Sequence, residues 1–444
     1  MNELVVNDPK LDGRILTSKV RVSKDLRKYL KQDKLFVEYD EDIIADESIL
    51  NIPIVATVLP LAWLSGTDIK VGCLDRTFKD SMSHLRDTLA KIYPLGSLKS
   101  EIVVDKLVDN RINPINREKQ TGILYSGGVD SSYSLIKNMK QHPRLIMMWG
   151  VDNFPYPERR DHWQKAISIY KEYADKKGLD FNVIKTDVND VLDERRIEHK
   201  YHKALFDGGL RDAISHSMVL IPLTAPLSIG RFNNLIIAAS YSNDFDFTYK
   251  PRAAIPDVDE KIKWADLMVN HHGYVDRMDK TRAIVPALKE GLILRVCLMS
   301  TITDGLINDS KCEKCLRTIA FLALAGVDPN KCGFKITDST FSEMRHLWES
   351  MKTSRTHSNW REIQRLIPEK LDSDFHGSKD FFEWFKDFDF QTSERNWFYT
   401  DLYMNLPYQI ACILDKIYRK LNIDVHEYPT NRIRDSLKEQ EKTL

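Results

Sequence analysis

The sequence predicts an α/β protein organised on a doubly wound parallel sheet, with a small mixed α/β domain before it and a helical region after it. Three observations carry that prediction. Between residue 118 and about residue 300, apolar runs of β type alternate with helical patterns, the βαβ signature of a parallel sheet covered on both faces. The first of these runs, Ile123 to Tyr125, stops at Gly127 and Gly128, and a helical pattern begins at Ser131. After residue 330 the chain turns strongly helical and aromatic.

Bulk properties narrow the class. The 444 residues suffice for two or three domains with sizeable cores, and 42% hydrophobic with 29% charged residues describe a soluble globular protein. Lys+Arg and Asp+Glu both number 65, which argues against a broad nucleic-acid surface. No basic segment followed by an apolar stretch opens the chain, so no signal peptide is expected. The most apolar windows, Ile52 to Leu64 and Met218 to Ile229, are short of a membrane span and contain prolines, so no membrane is expected either. Six unevenly spaced cysteines fit a reducing cytoplasm better than a disulfide scaffold.

In the segment 1–117, Leu35 to Tyr39 and Ile52 to Val58 read as strands. Ser81 to Ile92 reads as an amphipathic helix with Leu85, Leu89 and Ile92 along one side, and Ile102 to Val108 as another strand. A glutaminase has no support here, because position 2 is Asn and Cys73 is the only cysteine before residue 297. The central segment 118–335 carries four expected strands: Ile123 to Tyr125, Leu145 to Trp149, Phe181 to Lys185 and Leu235 to Ala239. Helices are expected over Ser131 to Lys140 and Asp161 to Lys177. Arg211 to Ile229 is apolar nearly all round, a buried helix that Pro222 and Pro226 should kink or end. Asn270 to Arg282 reads as a polar loop, with His271 and His272 as surface histidines. The segment 336–444 carries candidate helices over Thr340 to Lys352, Trp360 to Leu366, Phe381 to Phe385 and Asn405 to Leu421. Its tryptophans, Trp397 between two helices included, read as a cap packed on the core, or else as a docking face for a partner or a second subunit. The tail from Asn431 to Leu444 is expected to fray.

The stretch Tyr125-Ser126-Gly127-Gly128-Val129-Asp130-Ser131-Ser132 has the parts needed to hold a phosphate. Glycines admit close approach, consecutive N–H groups point inward, and a helix N-terminus adds a positive dipole. Ser126, Ser131 and Ser132 offer hydroxyl groups, and Asp130 offers a carboxylate for Mg2+. The plainer reading is an ordinary strand-to-helix turn. Ligands of such sheets sit at the carboxyl ends of the strands, at the switch in strand order. That rule adds Trp149, Gly150 and Asp152 after the second strand, and Ser240 to Asp244 after the fourth. Asp152 reads equally well as a helix-capping or turn carboxylate.

Further on, Cys312 and Cys315 form a CxxC, the spacing that lets two thiolates reach one tetrahedral metal, and Cys297 lies a short loop upstream. A structural zinc site, a redox or sulfur-carrying CxxC, and inert reduced cysteines are the readings open at this point.

The string Ser126 to Ser131 resembles the SGGxDS loop of the PP-loop (N-type) ATP pyrophosphatases; it has neither the GK[ST] ending of a Walker A loop nor a GxGxxG. The resemblance implies cleavage of ATP between the α and β phosphates, with pyrophosphate on the loop and an adenylylated substrate. It implies that the second-strand end lies against adenine and that the fourth-strand end lines the acceptor pocket. It also makes Lys280 and Arg282, in the run His271, His272, Asp276, Arg277, Asp279, Lys280, Arg282, candidates to stabilise the α-phosphate and the leaving pyrophosphate from a lid; a solvated surface loop is the alternative.

The cysteine run is similar to that of the 7-cyano-7-deazaguanine synthases, which carry one cysteine, a gap and then CxxCxxC. Here position 309, where the first of those three would fall, is Asp309. Cys297, Asp309, Cys312 and Cys315 are therefore the expected zinc ligands, with Cys332 as another candidate fourth. The resemblance spans residues 118 to 330 and implies ATP-dependent activation of a carboxylate such as 7-carboxy-7-deazaguanine, then amide or nitrile formation with ammonia. In larger relatives from anti-phage systems the amine belongs to a partner protein. The alternatives are ATP-dependent thiolation of a tRNA base, with Cys312 or Cys315 carrying sulfur, and a non-catalytic nucleotide-binding scaffold.

Overall fold

The structure, a computed structural model, describes residues 3–92, 98–115, 120–151, 156–157, 159–205, 209–242, 254–297, 305–350, 357–371, 373–390 and 407–410. Its strands are β1 (Leu4–Val6), β2 (Lys10–Asp12), β3 (Ile15–Val22), β4 (Lys34–Tyr39), β5 (Ile69–Asp75), β6 (Ile102–Val108), β7 (Thr121–Leu124), β8 (Arg144–Trp149), β9 (Phe181–Thr186), β10 (Asn234–Ala238) and β11 (Met268–His272). They form one 11-stranded sheet in the order β11-β10-β7-β8-β9-β4-β3-β1-β5-β6, with β2 paired to β3. The protein is thus α/β.

The sheet has three parts. From β11 to β9 all neighbours are parallel. Within this block β7, β8 and β9 step to one side while β10 and β11 step to the other, so the strand order reverses between β7 and β10. A seam of antiparallel pairs follows, β9 with β4, β4 with β3 and β3 with β1. Beyond it β1, β5 and β6 are parallel again. The strands before residue 117 therefore extend the central sheet, with Val37 opposite Thr186 and Tyr39 opposite Ile184.

Alternation along the strands feeds two cores. In β8, Leu145, Met147 and Trp149 enter one core, while Ile146 and Met148 enter the other. The face taking Ile146 is covered by a helix over Ile52–Ser65 and by the segment after residue 210. Leu145 faces the helices Val129–Asn138, Arg160–Lys177, Arg277–Lys289 and Glu313–Leu324.

The stretch expected as a strand over Ile52 to Val58 is the helix Ile52–Ser65. Ile52 through Leu64 are all buried, and a run apolar on every side carries no period by which to tell a strand from a helix. Pro53 sits in the first turn, where its missing N–H costs nothing, and Gly66 closes the helix at φ +66°. Pro222 and Pro226 do interrupt the apolar stretch after residue 210: Arg211–Ser215 is a wide turn, His216–Leu220 is α-helical, Pro222–Thr224 tightens, and Ala225–Ser228 ends it.

The carboxy-terminal helices Thr340–Ser350, His357–Arg365 and Ser378–Lys386 lie close to the expected ranges. Trp348 and Trp360 are buried 5.1 Å apart, and Phe385 lies 5.7 Å from Trp360, so these aromatics are core. Trp397, most of Asn405 to Leu421, and the tail lie outside the described residues.

Candidate functional site

The turn after β7 is built by glycine. Gly127 has φ +79°, and a Cβ there would run into the Tyr170 ring. Gly128 precedes the helix Val129–Asn138 in an extended conformation with no side-chain cap hydrogen bond, which leaves the first helical turn facing the crevice. Ser126 and Ser131 hydroxyls lie 3.2 Å apart, and Ser131 Oγ accepts from the Ser126 N–H at 3.3 Å. Ser126 is exposed, whereas Ser131 and Ser132 are buried. Tyr125 Oη lies 3.3 Å from Ser132 Oγ and turns into the core, so Tyr125 and Val129 support the loop from beneath.

Asp130 meets two cations. Lys280 Nζ donates to its Oδ1 at 3.0 Å, and Arg277 Nη2 lies 3.1 Å from Oδ2. Lys280 also donates to the carbonyl of Ala239, just past β10, at 2.6 Å, and its side chain is 1% exposed. Burial works against ionising Asp130, yet Arg277 and Lys280 overcome it and hold the carboxyl below its ordinary value. Burial lowers the pKa of Lys280, and Asp130 pulls the other way. Both Asp130 oxygens are thus engaged by side-chain cations, for which the carboxylate is the counter-ion.

The run expected to be a loop is the end of β11 and the start of the helix Arg277–Lys289. The two histidines hide the β signal of Met268–His272, and neither is a free surface residue. His271 Nδ1 lies 2.6 Å from Asp259 in the core, and His272 Nδ1 lies 3.1 Å from Ser134 Oγ. Arg282 does not reach the site: its side chain is 59% exposed, 3.9 Å from Asp279. At about 100° per residue it is rotated roughly 200° from Lys280, onto the far side of the helix. Arg277 takes its place. It lies one turn before Lys280, a spacing the sequence displayed.

The other expected residues divide. Trp149 is buried, stacked 5.7 Å from Trp163 and meeting Tyr156 edge-on at 4.8 Å. Gly150 (φ +103°) is needed because a Cβ would strike the Thr186 carbonyl. Ser240 is exposed, its carbonyl 3.5 Å from Arg277. Asp152 and positions 243–244 lie outside the described residues.

A strap over residues 293–297 joins this loop to the cysteines. Arg295 N–H donates to the Gly127 carbonyl at 2.8 Å, and Arg295 Nε donates to the Ser126 carbonyl at 2.9 Å. Tyr170 Oη donates to the Ile293 carbonyl at 3.0 Å. No pattern in the sequence marked Arg295. Two residues on, Cys297 joins Asp309, Cys312 and Cys315, whose donor atoms all lie within 4.8 Å of one another. Cys297 and Cys312 sulfurs are 4.0 Å apart, near the roughly 3.8 Å of two thiolates on one tetrahedral zinc. Asn308 fixes the geometry: its Oδ1 accepts from the N–H groups of Val296 (2.9 Å) and Cys297 (3.2 Å), and its Nδ2 donates to Leu294 and Gly333 carbonyls. Asp309 Oδ1 accepts from Lys311 and Cys312 N–H groups, shaping the turn into the Glu313–Leu324 helix. The neighbouring Cys297 and Cys312 sulfurs, then burial, push the Cys315 thiol well up. Cys332 stays outside, its thiol 3.6 Å from the Asp328 carbonyl. Three sulfurs and a carboxylate in this arrangement could hold a metal ion.

Beside Arg277 opens a cleft of about 390 Å3, lined by the segment after β10 (Ser240, Tyr241, Ser242), by Val275, Asp276 and Arg277 itself, and by the His357–Arg365 helix. Comparison of the chain with family models, with curated proteins and with solved structures returned no match.

Proposed function

We propose that this chain is an ATP-dependent carbon–nitrogen ligase of the PP-loop pyrophosphatase type. The observation that carries the reading is the Ser126–Ser132 turn, at the carboxyl end of β7 where the strand order reverses, with buried Lys280 held against it by Asp130. The glycine turn and helix N-terminus would take the β and γ phosphates. Ser126 and Ser131 hydroxyls would donate to the same oxygens. Lys280 and Arg277 would face the charge that grows as pyrophosphate leaves. A carboxylate oxygen of the substrate attacks the α-phosphorus, the bond to the bridging β oxygen breaks, and an acyl-adenylate and pyrophosphate form. An amine then attacks the acyl carbon and AMP departs. Catalysis on this reading is positioning and electrostatics.

Zinc fits Cys297, Asp309, Cys312 and Cys315, where it would supply a rigid crosslink between the strap and the Glu313–Leu324 helix. Thiolation is the weaker reading, because Cys315 is fully buried and both CxxC sulfurs belong to this cluster.

The test is product analysis by mass spectrometry with ATP, Mg2+ and 7-carboxy-7-deazaguanine, with and without ammonium. AMP and pyrophosphate should appear only when the acid is present, and an amide or nitrile mass only with an amine. AMP without a released amide would point to an amine on a partner protein. No AMP under any condition would sink the deazaguanine assignment.

A further inference from the structure

The proposed ligase needs a second anion beside ATP, its carboxylate substrate, and the geometry points to the cleft between the end of β10 and the His357–Arg365 helix as the place that receives it. Arg361 and Arg365 are the residues that recognise it. This inference rests on the ligase reading and adds to it a specificity element from outside the central sheet.

The helix is anchored through its buried side. Trp360 and Ile363 are fully buried, Trp360 Nε1 donates to Glu313 at 2.9 Å, and Gln364 donates to the carbonyls of Phe385 (2.8 Å) and Phe388 (2.7 Å). Those anchors fix the rotation of the helix and turn Asn359, Arg361, Glu362 and Arg365 toward the cleft. Arg361 and Arg365, four residues apart, are both exposed and stand as neighbours on that face. Arg361 rests over the Phe390 ring at 5.4 Å, which fixes its stem without using its donors. Arg365 is only loosely held, 3.9 Å from Asp276, with its side chain 71% exposed.

Arg277 supplies the opposite wall and is committed to Asp130 at 3.1 Å. The cleft therefore begins where the glycine loop's own charges end. Glu362 gives one oxygen to the Met278 N–H at 3.1 Å, and burial raises its carboxyl above the ordinary value. Guanidinium groups with a flanking amide (Asn359) and a hydroxyl (Ser240) suit a planar, bidentate acceptor. A carboxylate is such a group.

The experiment measures equilibrium binding by calorimetry to the full-length wild type, Arg361→Ala/Arg365→Ala and Arg361→Lys/Arg365→Lys. The probes are 7-carboxy-7-deazaguanine, a panel of simple aromatic carboxylates at millimolar concentration, and a non-hydrolysable ATP analogue. The alanine pair should weaken carboxylate binding by about tenfold or more, with the lysine pair intermediate and the ATP analogue within about twofold of wild type. Unchanged carboxylate binding in the alanine pair overturns the assignment, as does wild type that binds none of the carboxylates. Equal loss of the ATP analogue also overturns it, because the cleft would then hold the triphosphate. Arginine-dependent carboxylate binding by a protein that does not bind the ATP analogue sinks the nucleotide reading and leaves the cleft assignment standing.

Discussion

The Asp130 cluster and the Cys297 cluster hang on the same strap of backbone, yet they handle charge in opposite ways. Around Asp130 the chain answers its own charges: one partly buried carboxylate against Lys280 and Arg277, with the Ala239 carbonyl accepting a further hydrogen bond from the lysine. Around Cys297 three sulfurs and the Asp309 carboxylate converge as a set of donors that suits a metal ion, and the neighbouring sulfurs and burial push the Cys315 thiol up. A cluster of the first kind is complete as folded and costs dearly when one partner is removed. The second kind reaches full strength only when an ion replaces the thiol protons.

The largest effect should come from breaking the complete cluster. Asp130→Ala leaves Lys280 charged in a site with 1% exposure and should destabilise by about 3–5 kcal/mol, measured by denaturant unfolding. Adding Lys280→Met should recover much of that loss, and failure to recover would mean that the pair is not the source. The cysteine cluster predicts the converse. Zinc should stabilise the wild type by about 3 kcal/mol at a hundredfold excess over its dissociation constant, and Cys297→Ser should abolish the gain. Asp309→Ala should weaken zinc by about 10-fold to 100-fold, read by competition with a chromophoric chelator. Asp309→Cys should tighten zinc binding but weaken the metal-free fold, since Asp309 accepts two backbone N–H groups.

Acid should separate the clusters. Zinc binding displaces thiol protons, so affinity falls as pH falls and the metal leaves first. The Asp130 pair contributes stability above the ordinary carboxyl value of 3.8 and loses it only as pH drops through the lowered value of the folded state. A zinc-release midpoint below the acid unfolding midpoint would contradict this order. Gly127→Ala should cost more than the about 1–2 kcal/mol of φ +79° alone, because its Cβ would meet the buried Tyr170 ring, a loss read by denaturant unfolding.

Much of the central block was legible because short apolar runs and glycine punctuation are local signals. β7, β8, β9 and β10 fall within a residue or two of the expected runs. The cysteine ligands were legible through spacing, and Asp309 joins the sulfurs as expected. What escaped depends on long-range contacts. Ile52–Ser65 was misread because a helix buried on all sides has no polar stripe. Lys280 was found but Arg282 was chosen beside it in place of Arg277, since a loop reading gives no helical face to sort them. Arg295 acts by touching carbonyls across the fold, which leaves no mark in its neighbours.

The antiparallel seam sets a schedule for folding. β4 is joined to β9 by contacts such as the Phe36 N–H to Asp187, 151 positions apart. On a ribosome, the amino-terminal strands emerge long before their partner exists, and β4 waits with an open edge until residue 187 has been made. Closing so long a loop is slow relative to forming the helices around it. The order of synthesis therefore makes β9 the piece that turns two nascent halves into one sheet.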